Sequence, residues 1–259
     1  MKLNNSSPIF EVIDLTWPAG EFHELSKWKL RKSLKGGKRV SAATSTETPA
    51  ISDIEFAEDK MTSWRQEKLF MIRPDQKNLD EALKNRGYRF IDPTNIWSIS
   101  SKTLSLQQVP PVTAFSIYPP LAIQRELWMA NGLDPSRMEI MDRVKTPKTT
   151  IFGRISAKPA ASAFAAVGHK TAMVHALVVD LKCQRQGMGK FVMQKVGDWA
   201  YHMGAENVVA LCTKENQSAN CFYKSLGMHL IGGYHYSCLL YTSDAADDMQ
   251  CVDLGGRRI

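Results

Sequence analysis

Residues 171–189, TAMVHALVVDLKCQRQGMG, constrain this chain more than any other stretch. The first nine are apolar and rich in β-branched side chains, which predicts a buried strand. Residues 187–200 have helical spacing instead, with Met188, Val192, Val196 and Trp199 on one face. A strand, a tight turn and a helix must therefore follow one another here. The turn falls at the helix N-terminus, where amide N–H groups lack intrahelical acceptors and the helix dipole adds roughly half a positive charge. Gly187 and Gly189 let the backbone take unusual torsions and come close to a ligand. Such a turn is suited to an anion, a phosphate above all.

A second pattern follows. Residues 207–212 are another apolar strand, and after them comes Asn216-x-x-Ala219-x-x-Phe222-Tyr223-x-x-x-Gly227-Met228. An ordinary βαβα segment accounts for a Gly-rich turn but not for this Asn/Ala/Tyr spacing. Gln184-x-x-Gly187-x-Gly189 together with the second pattern, in this order, resembles the two signatures of the GNAT acyltransferase superfamily. The resemblance covers residues 113–236, about half of the chain.

Composition sets the outer bounds. With 259 residues, 44% hydrophobic and 23% charged, the chain has the makeup of a soluble globular protein of one large or two small domains. No apolar run reaches membrane-spanning length and the N-terminus lacks an apolar signal core, so the expectation is a cytoplasmic protein with no membrane partner. Residues 238–259, CLLYTSDAADDMQCVDLGGRRI, lose all periodicity and resemble translated library adapters of short-read sequencing; they are expected to be an artefactual tail after Ser237. Setting aside its four aspartates and two arginines leaves 31 basic and 22 acidic residues, a net charge of +9 in place of +7. Cys183, Cys212 and Cys221 then remain, with no C-x-x-C and no metal-ligand spacing, so reduced thiols and no metal are expected.

In chain order, residues 1–100 predict a smaller α/β lobe. Residues 8–15 read as a helix. Residues 27–33 read as a strand whose Lys27, Lys29 and Arg31 face water, with a turn at 35–38 and a returning strand at 39–44. Seven Lys or Arg lie between Lys27 and Arg39, but no recognition motif accompanies them, and a solvated strand face is the simpler reading than a nucleic-acid surface. Ser52 to Glu55 predicts a capping box, with Ile54, Ala57, Met61 and Trp64 on the helical face behind it. A strand at 69–73, a helix at 78–86 ended by Gly87, and a strand at 88–99 follow. This order mirrors the second half of a GNAT fold, and Asn78 to Tyr88 echoes Asn216 to Met228, which suggests an internal repeat. Registered on the glycines, Leu83 stands where Tyr223 stands, so the first lobe would be degenerate and serve as packing partner or acceptor wall. Residues 101–111 read as a linker and 112–237 as the catalytic domain: a strand at 113–118, helices at 121–131 and 135–143, and strands at 149–155 and 161–167 before the central strand, then a last one at 228–236.

The resemblance implies a mixed, twisted sheet with flanking helices and acetyl-CoA as cosubstrate. It implies that Gln184, Arg185, Gln186, Gly187, Met188, Gly189 and Lys190 cradle the pyrophosphate. The central strand would part from its neighbour at Leu177, Val178 and Val179, so that the Val179 N–H faces the thioester oxygen while nearby carbonyls hold the pantetheine arm. Asn216, Ala219 and Phe222 complete the cofactor site, and Tyr223 donates to the departing sulfur. The helices at 121–143 would overhang the acceptor, making Gln124, Arg125, Trp128 and Met129 specificity candidates, with core packing as the plain alternative for Trp128 and Met129. Members that use a glutamate base carry it at the position of Met173, so this chain departs from that pattern. His175, placed by alternation on the face of Met173, Leu177 and Val179, is the candidate base, beside Asp180 or a water chain. The expected activity is acetyl transfer to a primary amine of a small molecule or protein by direct attack in a ternary complex. The alternative is a non-catalytic acyl-CoA sensor. Nucleic acid is not expected as a partner, and a homodimer is compatible with the reading.

Overall fold

The computed structural model describes residues 8–239. In order the elements are α1 (Pro8–Thr16), β1 (Glu21–Leu25), β2 (Trp28–Lys32), β3 (Thr44–Ser45), α2 (Ile51–Ser63), β4 (Leu69–Ile72), α3 (Lys77–Asn85), β5 (Arg89–Ser100), α4 (Ser101–Ser105) and β6 (Ala114–Ile117). They continue with α5 (Ala122–Ala130), α6 (Pro135–Arg143), β7 (Lys148–Ile155), β8 (Lys158–Gly168), β9 (Thr171–Val179), α7 (Met188–His202), β10 (Asn207–Thr213), α8 (Gln217–Ser225) and β11 (His229–Cys238). Among the described residues an eight-stranded sheet runs β4-β11-β5-β10-β9-β8-β7-β6, and β1, β2 and β3 form a second, small one. The large sheet is mixed: β9 and β10 are parallel and their other neighbours antiparallel.

Burial explains the layering. Strand β8 is mostly alanine between Ala160 and Val167 and is buried on both faces, so α5 and α7 can both lie close against it. On one face Met188, Val192, Met193 and Val196 of α7 pack with Leu104 of α4, Ala219 and Tyr223 of α8 and the near side of the strands. Each of the buried Val, Leu and Met side chains there contributes about 1.5–3 kcal/mol of transfer free energy. The opposite face is covered by Ile9, Phe10 and Ile13 of α1 and by Trp128, Ile140 and Met141 of α5 and α6.

Strands β4 and β5, from the first hundred residues, are hydrogen-bonded into the same sheet as β9 and β10, and β11 lies between them. The repeat has a geometric expression. A step of 140 residues carries Thr94 onto its own ladder partner Tyr234, and carries the pair Arg89 with Cys238 onto His229 with Ser98. The same step carries the four β4–β11 pairs, Leu69 with Cys238 to Ile72 with His235, onto β10–β5 pairs, Val209 with Ser98 to Cys212 with Asn95. It also superposes α3 on α8 by number. The two halves have thus exchanged their last strands across a pseudo-twofold axis at Thr94.

Several expectations are corrected. The hairpin is β1–β2, joined at residues 26–27, and the predicted returning strand is a short 3-10 turn at Lys38–Val40 followed by β3. Arg31 does not face water: it is 3% exposed and grips Asp14 through Nε to Oδ1 at 2.8 Å and Nη2 to Oδ2 at 2.9 Å. Lys29 reaches the same carboxylate at 3.1 Å, Lys27 pairs with Asp53, Lys32 with Glu21 and Lys38 with Asp92. Five of the seven cations in that run therefore face carboxylates. The helix predicted from a Ser52 cap starts two residues earlier, with Ala50 as its cap, and the Asp53 carboxylate accepts the Ala50 N–H at 2.8 Å. The expected linker begins with helix α4, whose Leu104 seats where a Gly197 side chain would be: a Cβ there would lie 2.2 Å from that of Leu104. Cys238 is the last residue of β11, paired with Leu69 and Arg89, so the ordered chain runs past Ser237. The rest of the expected tail from residue 240 on lies outside the described residues.

Candidate active site

Strands β9 and β10 pair in parallel over four residues, from Thr171 with Asn207 to Val174 with Ala210, and then part. The parting begins at His175, two residues before the expected Leu177. Its partner on the other side, β8, pairs Phe164 with His175 and then Ser162 with Val178, so β9 carries a bulge. Ala176 sits in it with a φ of 50°, and its carbonyl accepts the Trp128 indole N–H at 2.8 Å. One extra residue reverses the alternation of the strand. Val174, Leu177 and Val179 point into the α7 face, while Met173 lies beneath α1, and Ala176 and Val178 pack near Trp17 and Trp128.

His175 therefore does not share the face of Leu177 and Val179, because the bulge intervenes. It is buried and stacked on Trp17 with ring centroids 4.7 Å apart. Its Nε2 lies 3.0 Å from Thr16 Oγ1, whose hydroxyl donates to the Val12 carbonyl at 2.7 Å. Nε2 must then carry the proton, and Nδ1 accepts from Arg39 Nη1 at 3.1 Å. Burial first, and the Arg39 charge second, hold its pKa well below the usual histidine value. A ring whose lone pair already faces a guanidinium is poorly placed to take a proton from an amine.

Beyond Val179 the chain makes the turn expected to hold an anion. Asp180 accepts the Lys182 N–H at 2.9 Å, Arg185 takes a φ of 61°, and Gly187 caps α7 with a φ of 80°. Among the described residues the N–H groups of Met188, Gly189 and Lys190 have no acceptor, and the first turn of α7 has no acidic side chain. The equivalent end of α2 differs in that Asp53 supplies its own carboxylate. Lys182, Arg185 and Lys190 are exposed around the turn. The side chains of Gln184 and Gln186 turn back onto the Val179 and Lys182 carbonyls at 3.3 and 3.0 Å and hold the loop itself. Gly153 makes room for Met188, since a Cβ there would lie 2.6 Å from its sulfur. Beside the turn opens a cavity of about 340 Å³ whose walls include Arg154, Ser156, Gln186, Met188 and Phe191.

Helix α8 closes the other side of the parting strands. The Asn216 side chain accepts the Ala219 N–H at 3.0 Å, so it acts as N-cap. Phe222 lies against Gly189, where a Cβ would come within 3.1 Å of the ring. Tyr223 is 4% exposed next to Cys212, and burial, with Cys212 adding to it, raises its phenol pKa. Burial also pushes the Cys212 thiol up to about 11. Both groups stay protonated at neutral pH, so the phenol is a hydrogen-bond donor and not a phenolate.

Asn220 was not predicted, and the expectation that Gln124 overhangs an acceptor is corrected. Asn220 ties the cleft together: its Oδ1 accepts from Asn95 at 2.7 Å, Trp97 at 3.0 Å and Cys212 at 3.3 Å, and its Nδ2 donates to the Thr213 and Asn216 carbonyls at 2.9 and 2.8 Å. It sits one turn after Asn216, a spacing visible in the sequence, but its partners on β5 are not. Gln124 is sealed in the fold, bonded to the Leu121 N–H, Thr150 and Ser162 at 3.0, 3.2 and 3.2 Å. Trp128 is likewise buried, whereas Met129 is exposed and Arg125 lies 3.9 Å from the Met138 sulfur. No cluster of metal ligands occurs among the described residues.

Residues 115–228 match the family model of the Acetyltransferase (GNAT) family. The match spans less than half of the chain. Solved structures with the same architecture include a GCN5-related N-acetyltransferase from Kribbella flavida, with a TM-score of 0.69 at 14% identity over 92% of this chain and 96% of that one. A conserved protein of unknown function from Staphylococcus epidermidis follows at a TM-score of 0.66 and 14% identity, covering 86% of this chain and 95% of that one. A tandem GNAT protein from the clavulanic acid biosynthesis pathway matches at a TM-score of 0.57 and 8% identity, over 76% and 74%. No curated protein matches in sequence at a significant level. The chain therefore has the GNAT fold, an α/β architecture of mixed sheet and flanking helices.

Proposed function

We propose that this chain transfers an acetyl group from acetyl-CoA to a primary amine by direct attack in a ternary complex. The observation that carries the reading is the row of acceptor-free amides at Met188, Gly189 and Lys190, set at the mouth of the gap where β9 leaves β10. A diphosphate on those amides lets the pantetheine arm run into the gap, where main-chain groups of Leu177 to Val179 are no longer taken by β10. Tyr223 of α8 packs in the same cluster as Leu177 and Val179, on the α7 side of the gap. When amine nitrogen bonds to the acyl carbon, the tetrahedral intermediate expels thiolate, and a neutral phenol offers that sulfur a hydrogen bond. Its raised pKa keeps the proton in place and makes full transfer the harder path. Main-chain N–H groups on β9, with Val179 foremost, stabilise the oxyanion.

His175 is left out of proton removal because its Nδ1 is engaged by Arg39. An alkylamine with a pKa near 10 then reacts through its free-base fraction. Four cysteines without disulfide partners among the described residues fit a reducing compartment, and we place the protein in the cytoplasm. A sensor that holds acetyl-CoA without turnover is the second reading, favoured by the engaged His175. Release of CoA thiol from acetyl-CoA across a mixed panel of amines tests the choice. Turnover with any amine supports the enzyme, and thermal stabilisation by acetyl-CoA with no thiol release from the whole panel supports the sensor.

A further inference from the structure

The turn at Lys38–Val40 lies over the gap between β9 and β10 on the face away from α7. Two successive side chains straddle it: Lys38 pairs with Asp92 on β5, and Arg39 bonds His175 on β9. The nearest carboxylate on β5 is thus taken by Lys38. Arg39 is half-buried, its guanidinium carbon stands 5.4 Å from the Trp17 ring, and its hydrogen-bond partner is a neutral imidazole. Among the described residues no carboxylate lies within ion-pair distance of it. A guanidinium carries five N–H donors in a rigid fork, and partial desolvation without an anion is costly unless a ligand supplies one. On the same face of the sheet Ala176 and Val178 of β9 and Leu211 of β10 are half-buried apolar groups.

We propose that Arg39 reads the carboxylate of the acyl acceptor, so that the acceptor class is an amine bearing its own carboxylate, an amino-acid-like small molecule. The proposal rests on the acyl-transfer reading above. The acceptor's carboxylate takes two parallel N–H bonds from the guanidinium, and its amine projects past Val178 into the gap between the strands. The turn that holds Arg39 comes from the first half of the chain, which gives that half a part in choosing the acceptor.

The experiment pairs each ω-amino acid of increasing chain length with the alkylamine of equal length. Thiol release from acetyl-CoA and calorimetric binding in the presence of CoA are measured for wild type, R39Q and R39K. Wild type should favour the carboxylate member of the best pair by tenfold or more in kcat/KM. R39Q should lose roughly 30-fold through KM on that member, and far less on its alkylamine. R39K, which keeps the charge but not the fork, should fall between. Equal losses on both members, no preference in wild type, or a lysine side chain in a peptide as the best acceptor would each overturn the assignment. If no amine releases thiol, the transfer reading fails by itself, and calorimetry still decides about Arg39: carboxylate-dependent binding lost in R39Q supports it, and its absence in wild type rejects it. Melting curves of both variants show whether the turn stays folded.

Discussion

Leu83 on α3 and Tyr223 on α8 occupy the same place in the two halves of the sheet, 140 residues apart, and both are buried. Leu83 packs among Phe70, Ile72 and Tyr88, while Tyr223 faces Cys212 beside the gap between β9 and β10. The first half therefore has the helix without the donor, and its α2 terminus is filled by Asp53. The two halves thus differ at both places: a carboxylate and a leucine in the first, open amides and a phenol in the second.

Tyr223→Phe removes the hydroxyl and leaves the ring that packs against Cys212. Its kcat should fall by about 10²-fold while acetyl-CoA affinity changes little, because one hydrogen-bond donor aimed at charge that develops in the transition state is worth about 10²–10³. Single-turnover thiol release read beside a calorimetric titration separates the two. An undiminished kcat would take Tyr223 out of the chemistry.

Gly187 holds a φ of 80° at the cap of α7. Gly187→Ala puts a Cβ into a left-handed conformation at about 1–2 kcal/mol, which lowers Tm by about 2–8 °C and weakens acetyl-CoA binding as the turn relaxes. Gly204→Ala, with a φ of 76° and open space around it, should cost the same stability without touching acetyl-CoA affinity. Equal loss of affinity in both variants would dissociate the turn from the cofactor.

Much of the fold was legible because it is local. Helix α7, its glycine cap and the order of strands follow from apolar periodicity and two glycines. The face of His175 was not legible. Alternation extrapolated through residues 173–179 fails at Ala176, where a bulge is fixed by a hydrogen bond to Trp128, 48 residues away. Arg31 misled for the same reason, since a cation in an alternating strand reads as solvated until Asp14 is known to lie opposite. The exchange of β5 and β11 is likewise long-range, and only the faint echo between residues 78–88 and 216–228 hinted at it.

The histidine yields a pH prediction. Its folded pKa lies well below 6.5, so the unfolded chain binds more protons as pH falls through 6.5. Stability is then fully present above that value and declines below it, by up to about 1.4 kcal/mol per pH unit from this group. Urea unfolding at pH 7.5 and 5.0 should show the decline, and His175→Gln should flatten it. For the same reason kcat/KM for an alkylamine should rise tenfold per unit between pH 7 and 9, following the free base. A plateau beginning near pH 6.5 that vanishes in His175→Gln would restore the histidine as base.

Asp14→Asn leaves Arg31 buried and deprived of its carboxylate, as well as releasing Lys29. Breaking a buried pair in this way costs about 3–5 kcal/mol. A shift of the urea midpoint corresponding to under 1 kcal/mol would mean that the pair is replaceable by its remaining bonds to Ala42 and Thr44.

The most direct test of the account is amide chemical shift during titration with acetyl-CoA. The Met188, Gly189 and Lys190 N–H signals should move together and saturate with the calorimetric Kd, as amides that gain a diphosphate acceptor do. Saturated binding that leaves those three signals where they were, while others elsewhere shift, would contradict it.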